Sequence, residues 1–277
     1  MGSFALRHGI RRRPLRSRQT SISPVIRSPA AVMPRASSQP APAAPAQAWP
    51  GRETRSEAER WNDLRLEVLL PHLPAVARAL LKCDGADHPC GLLICAVCAR
   101  AYRQGPIAQL HALANAYAGP HEIATIYLGL YRPGFLAVAD VRRTHEMFRK
   151  RLDRAGFKGA IVVGGIEVAW QAQWQRWLLH AHLLGIGVDA HAWRRLEAAL
   201  EKSGTADPVR PVALCNPDRQ LSYCIKFVTY HQPGRRRVPL PPDRVVELAA
   251  WWSRYRFEDY LFAYGARRRG GQLVVDK

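Results

Sequence analysis

Alternating and helical spacing of apolar residues divides the chain into short predicted elements. Residues 121–131 (HEIATIYLGLY) are β-branched and aromatic and lie between Pro120 and Pro133, which predicts a strand. Residues 136–155 carry Val138, Val141, Met147, Phe148 and Leu152 at helical spacing behind an Arg/Lys-rich outer face, with Gly156 as a stop. Residues 159–168 are almost continuously apolar up to Glu167 and predict a second strand. The run Leu178-Leu179-His180-Ala181-His182-Leu183-Leu184 predicts a third, with residues 169–177 as the hairpin tip. A helix over 191–200 and a short strand over 210–214 follow. Asn216-Pro217-Asp218 then turns the chain into a helix carrying Tyr223.

The flanks are patterned as well. Ser56-Glu57-Ala58-Glu59 fits a capping box with Ser56 as N-cap, opening a helix whose apolar face is Trp61, Leu64, Val68 and Leu69. Pro71 and Pro74 end it, and residues 75–82 predict a short second helix. Residues 245–264 predict an aromatic-rich helix with Trp251, Trp252, Tyr255 and Phe257. The order β–α–β–β–α–β–α predicts an α+β fold. Its sheet is mainly antiparallel, with helices on one side and a small module in front.

Composition changes the picture at the N-terminus first. Residues 1–52 contain no Asp or Glu and are rich in Arg, Ser, Pro and Ala, a composition that predicts disorder. A transit peptide, a misassigned start with Met33 as the internal alternative, and a basic tail all fit it. The whole chain of 277 residues has 41 basic and 22 acidic side chains, a net charge of +19. Nearly all the basic residues are Arg, whose guanidinium forks match phosphate and stack on bases, so a polyanionic partner is expected. No apolar run approaches the roughly 18 residues that a membrane helix needs.

Four of the six cysteines, Cys83, Cys90, Cys95 and Cys98, fall within sixteen residues. Cys95-Ala96-Val97-Cys98 is a C-x-x-C pair that can clamp one edge of a zinc tetrahedron, and Cys83 and Cys90 can complete it. His88 is a reserve ligand. A disulfide pair would need an oxidising compartment, and no secretory signal supports one; no βα context supports a redox C-x-x-C. Arg100, Tyr102 and Arg103 then suit a phosphate-contacting rim. Cys215 and Cys224 have no partner pattern and are expected to be buried thiols.

The chemistry concentrates between residues 165 and 230. Alternate side chains of a strand share a face, so His180 and His182 point the same way, about 6.6 Å apart. Together they can chelate one divalent ion, and a hairpin brings the Glu167 carboxylate beside them. Two nitrogens and one oxygen leave positions open for substrate. Glu167 fits either a ligand or a base one shell out. Tyr223, Lys226 and Tyr230 share a helix face at spacings of three and seven. Trp170, Trp174 and Trp177 lie in the hairpin tip. They fit a stacking platform for single-stranded bases, with Trp174 and Trp177 as its DNA contacts, or an indole cap on the core. Arg235-Arg236-Arg237 and Arg267-Arg268-Arg269 fit phosphate contacts or solvated faces.

His-Ala-His followed by Tyr-x-x-Lys at Tyr223 and Lys226, with an acid on the preceding strand and four cysteines upstream, resembles the HUH endonucleases. Within them the pattern, over residues 83–230, is similar to that of the rolling-circle plasmid replication initiators. The resemblance implies an HUH/RRM-like palm over residues 116–234 and a helical, four-cysteine zinc module over 56–115. Residues 1–55 would be a basic tail, and 235–277 a basic C-terminal helix and tail. It implies a site-specific single-strand DNA nicking and joining enzyme. Tyr223 would be the nucleophile that forms a 5′-phosphotyrosine and frees a 3′-hydroxyl to prime synthesis. Lys226 would supply positive charge, and Mg²⁺ or Mn²⁺ would sit on His180, His182 and Glu167 with structural Zn²⁺ on the cysteines. The expected partner is a replication origin, single-stranded or hairpin, in the bacterial cytoplasm. No G-x-x-x-x-G-K-[ST] occurs, so a host helicase and polymerase would unwind and copy. An HUH-type single-strand transposase and a catalytically inactive zinc-containing DNA-binding regulator remain alternatives.

Overall fold

The computed structural model describes residues 54–85, 87–200, 208–227, 230–231 and 238–275. It is an α+β structure built on a five-stranded antiparallel sheet. The strands are β1 (His121–Tyr131), β2 (Ile161–Gln171), β3 (Arg176–Ile186), β4 (Val209–Ala213) and, late in the chain, β7 (Leu261–Tyr264). Their order is β4-β1-β3-β2-β7, so the strand carrying the histidine pair is central. Strands β2 and β3 form a hairpin in which Glu167 lies opposite His180 and Gly165 opposite His182. On the other side of β3, Thr125 faces His182 and Tyr127 faces His180. The turn of this hairpin places Gln175 at φ 48°.

Period-two alternation sorts the two faces. Val162, Ile166, Val168 and Trp170 of β2, with Trp177, Leu179, Ala181 and Leu183 of β3, belong to one buried cluster. Helices α4 (Val141–Ala155) and α5 (Ala190–Ala199) pack there through Phe148, Leu152, Trp193 and Leu196, and α7 (Pro242–Trp252) joins through Leu248. Ile161, Val163, Leu184 and Ile186 face the other way. They meet Leu110 and Leu113 of α3 (Ala96–Ala116) and Leu221 and Cys224 of α6 (Pro217–Cys224). Helices therefore cover both faces rather than one, because the histidine-bearing face is itself largely apolar and must also be shielded. Helices α1 (Arg55–Leu69) and α2 (Pro74–Leu81) and the four-cysteine segment share the first cluster, so this module is continuous with the main core.

Several boundaries differ from the sequence expectation. The capping box of α1 is Thr54 with Glu57, two residues earlier than Ser56 and Glu59: the Thr54 hydroxyl accepts from the Glu57 N–H, and the Glu57 carboxylate accepts from the Thr54 N–H. Residues 136–155 split into a 3₁₀ turn (Leu136–Val138) and α4, because Asp140 caps the helix by accepting from the Arg143 N–H. Residues 245–264 are not one helix. α7 ends at Trp252, a 3₁₀ turn spans Phe257–Tyr260, and β7 adds the fifth strand. Phe262 drives that switch by burying its ring against Phe148, 4.9 Å between centroids, on the α4 face of the sheet. The Arg267-Arg268-Arg269 run is not a trailing end either. It forms β8 (Ala266–Arg269), paired with β9 (Gln272–Val275) across Gly270 and Gly271, both at positive φ. Two short strands, β5 (Tyr230–His231) and β6 (Val238–Pro239), pair separately.

One glycine sets how closely α6 approaches the sheet. A Cβ on Gly165 would lie 2.8 Å from the Cys224 carbonyl oxygen, so any side chain there forces the C-terminal end of α6 away. Gly165→Ala is expected to cost about 1–3 kcal/mol in denaturant unfolding through overpacking. Unchanged stability would contradict this approach distance.

Candidate metal and nucleophile site

The sheet register assembles the first half of the site. Glu167, His180 and His182 are all buried, at 3%, 6% and 2% exposure, and one ligand atom from each lies within 4.8 Å of the others. The His180 Nδ1–H donates to the Leu178 carbonyl at 3.2 Å, which turns Nε2 toward Glu167 Oε2, 3.6 Å away. His182 Nδ1 is 2.9 Å from the Thr125 hydroxyl, leaving its Nε2 without a hydrogen bond. Neither Glu167 carboxylate oxygen closes a well-formed hydrogen bond, although the Lys226 backbone N–H favours its charged form. Buried polar atoms normally find one, because burying them unpaired costs several kcal/mol.

Burial sets the protonation. It pushes Glu167 up to about 7, with Lys226 and Arg103 pulling in the opposite direction. It holds His180 down at about 4, aided by the positive charge of Lys226, and His182 well below its ordinary value. At neutral pH both imidazoles are therefore neutral, the form that ligates metal. Converging lone pairs on two neutral imidazoles and a desolvated carboxylate are the donor set of a divalent cation, which these three residues could hold. Thr125 was not legible as part of this site from the sequence. Its only signal is its register opposite His182, where its hydroxyl fixes the ring as an outer-shell partner.

Helix α6 supplies the second half. Tyr223 is 48% exposed, and its ring centroid is 4.4 Å from that of His182. The Lys226 ammonium sits 3.4 Å from the centroid of the Tyr223 ring. This pairing does not come from helical spacing, as the sequence suggests. The helix stops at Cys224, Ile225 takes φ −127° and ψ 86°, and the turned chain brings Lys226 back over the ring. Tyr230 is likewise not on the Tyr223 helix face. Its backbone belongs to β5, opposite Pro239.

The four cysteines converge independently. Cys83 and Cys98 sulfurs are 3.4 Å apart, and the Cys90–Cys98 and Cys83–Cys95 pairs are each 3.6 Å apart. These separations are far beyond a disulfide bond and close to the roughly 3.8 Å edge of a tetrahedron with 2.3 Å zinc–sulfur bonds. All four thiols are free, and together they could hold a structural zinc. Asn62 of α1 donates to Cys95 Sγ at 3.2 Å and accepts from the Ala96 N–H at 2.8 Å. Cys95 itself caps α3 by accepting from the Cys98 N–H. His88 is not drawn in; it is exposed and pairs with Asp84.

Other expectations divide. Trp174 is 41% exposed at the hairpin turn, whereas Trp177 is fully buried and donates its indole N–H to Glu247 at 2.9 Å. Trp170 packs edge-on against Trp177 at 5.2 Å, so of the three only Trp174 reaches solvent. Arg235, Arg236 and Arg237 lie outside the described residues. Arg103 turns inward to α6 rather than forming an outward rim. Cys224 is buried as expected, but Cys215 is exposed. No helix among the described residues is long and apolar enough to cross a membrane. No family model, curated protein or solved structure matches the chain.

The carboxylate predicts a measurable linkage. Glu167 rises from 4.5 to about 7 on folding, so the native state holds its proton more tightly than the unfolded chain does. On this group's account the metal-free protein loses stability as pH climbs through that window. At pH 8 both histidines are neutral in either state. There Glu167→Gln is expected to stabilise the metal-free protein by on the order of 2–3 kcal/mol and to remove the Tm increase produced by Mn²⁺. A destabilised variant that still responds to Mn²⁺ would show that this carboxylate is neither strained nor a ligand.

Proposed function

We propose that the protein is a site-specific single-strand DNA nicking and joining enzyme, with Tyr223 as nucleophile, that initiates rolling-circle replication. The observation that carries this reading is the packing of the half-exposed Tyr223 ring on His182, one of the three buried residues of the Glu167–His180–His182 donor set. The antiparallel sheet with its histidine pair on the central strand is also the arrangement an HUH palm requires. The net charge of +19 suits a polyanionic substrate.

On this reading a DNA strand lies across the exposed edge of Tyr223. The phenolic oxygen attacks the scissile phosphorus as the O3′–P bond breaks. The phenol loses its proton to solvent, and the departing O3′ takes one up. A 5′-phosphotyrosine and a free 3′-hydroxyl result, and the reverse attack rejoins the strand. Lys226 keeps positive charge against the tyrosine, where negative charge builds on the phosphate. His180, His182 and Glu167 would hold Mg²⁺ or Mn²⁺, which supplies Lewis-acid polarisation of the phosphate oxygens. Thr125 keeps His182 aligned, and burial keeps all three side chains away from bulk water.

Supercoiled plasmid carrying the protein's own locus, incubated with Mn²⁺ or Mg²⁺, is expected to become nicked with protein on the 5′ end. EDTA and the double variant His180→Ala/His182→Ala should each reduce the rate at least 100-fold, whereas Trp174→Ala should weaken single-strand binding by roughly 1–3 kcal/mol and leave nicking detectable. Tight binding without nicking on every origin tested would instead favour an inactive DNA-binding regulator.

A further inference from the structure

Helix α3 joins the two metal-ligand clusters physically. Cys95 and Cys98 occupy its N-terminal turn, and Arg103 lies five residues on, about 7.5 Å farther along the same helix. From there the Arg103 guanidinium donates to the Ile225 carbonyl at 2.5 Å and the Ser222 carbonyl at 3.3 Å. Both carbonyls belong to the end of α6, one on either side of Tyr223. The last carbonyls of a helix have no helical partner, and a cation among them is favoured by the helix dipole. No glycine ends α6, and the bonds its own side chains make lie one turn earlier: the Ser222 hydroxyl donates to Arg219 O at 2.8 Å and the Cys224 thiol to Gln220 O at 3.6 Å. Arg103 is the long-range tie.

A second contact from the neighbouring residue reinforces it. Tyr102 stacks on Phe257 at 4.7 Å and meets Phe227 edge-on at 6.2 Å, gripping the chain immediately after Lys226. The segment from Ser222 to Phe227, which carries both Tyr223 and Lys226, is thus held at two points by one turn of α3. Gly165 provides the opposite wall, 2.8 Å from Cys224 O for a built Cβ.

The geometry points to Arg103 as a positioning residue through which the four-cysteine module holds Tyr223 and Lys226 against the metal ligands of the sheet. Occupancy of Cys83, Cys90, Cys95 and Cys98 by zinc therefore governs nicking at a distance. This coupling rests on the nuclease reading for its consequence, but not for its physical content. With the sulfurs unbridged, four close thiols no longer fix the start of α3, and the register of Arg103 against α6 is lost. The substrate contacts elsewhere are untouched, so the effect belongs on the chemical step rather than on DNA binding.

The test uses the full chain as purified, with its zinc content measured first, in wild-type, Arg103→Met and Arg103→Lys forms. Hydrogen exchange followed by mass spectrometry reads the amides of residues 217–227, with β3 and α4 as internal references. Arg103→Met is expected to speed exchange in 217–227 at least tenfold and leave the references unchanged, and Arg103→Lys to recover part of the protection with its single ammonium. Stripping zinc with a mercurial and chelator should reproduce the Arg103→Met pattern in the wild type. In nicking assays Arg103→Met should lower kcat at least tenfold with KM for the oligonucleotide unchanged. Unaltered exchange over 217–227, or faster exchange spread evenly over the references, would overturn the proposal. The exchange arm needs no turnover, so a wild type that never nicks counts against the nuclease reading alone.

Discussion

Burial of a carboxylate against two neutral imidazoles is the constraint on which the rest of this structure depends. Glu167, His180 and His182 sit in the middle of the sheet with almost no solvent contact, and neither Glu167 oxygen closes a well-formed hydrogen bond. A desolvated carboxyl can relieve that cost by keeping its proton or by facing a cation. Burial pushes Glu167 upward toward the first remedy, and the lone pairs of the histidines provide for the second. The neighbouring architecture follows: Thr125 and Leu178 orient the rings, Gly165 admits α6, and α6 lays the half-exposed Tyr223 ring against His182.

The cysteine module answers a different physical need. A helix of eight residues such as α6 has little intrinsic stability and is positioned by what packs against it. Helix α3 does that packing through Leu110, Leu113 and Arg103, and its own start is organised by Asn62 and four convergent thiols. The sheet thus carries the Glu167–His180–His182 group, and α3, which begins at the cysteine cluster, is bonded to the end of the helix that carries Tyr223.

Much of this was legible from residue patterns. Period-two alternation in β2 and β3 and the apolar runs around them specify a hairpin in strict register, which alone puts Glu167 beside His180. The spacing of Cys83, Cys90, Cys95 and Cys98 specifies a four-thiol site. What the sequence hides is tertiary. Gly105 and Pro106 interrupt the pattern of α3, although the helix runs through them, so its reach to α6 leaves no local trace. Aromatic residues 257–264 resemble the helix before them, and the last four become a strand by pairing with the open edge of β2 while Phe262 packs on Phe148. Trp177 looks like a stacking residue beside two other indoles, yet it is buried and donates its N–H to Glu247, seventy positions away. Lys226 reaches Tyr223 from beyond the helix end, after Ile225 leaves helical geometry, a contact helical spacing anticipates for the wrong reason.

The most direct test of the central claim is the chemical identity of the residue that becomes joined to DNA. Wild-type protein would be mixed with Mn²⁺ and a single-stranded oligonucleotide spanning the nick mapped on its own locus, then digested with trypsin and nuclease and analysed by mass spectrometry. Cleavage after Arg219 and Lys226 separates Tyr223 from Tyr230. With Tyr223 as nucleophile, a nucleotide joined through its 5′-phosphate is expected on the peptide covering residues 220–226, formed only with divalent metal and absent from Tyr223→Phe. An adduct on a peptide containing Tyr230, or cleavage that leaves no covalent adduct, would contradict it.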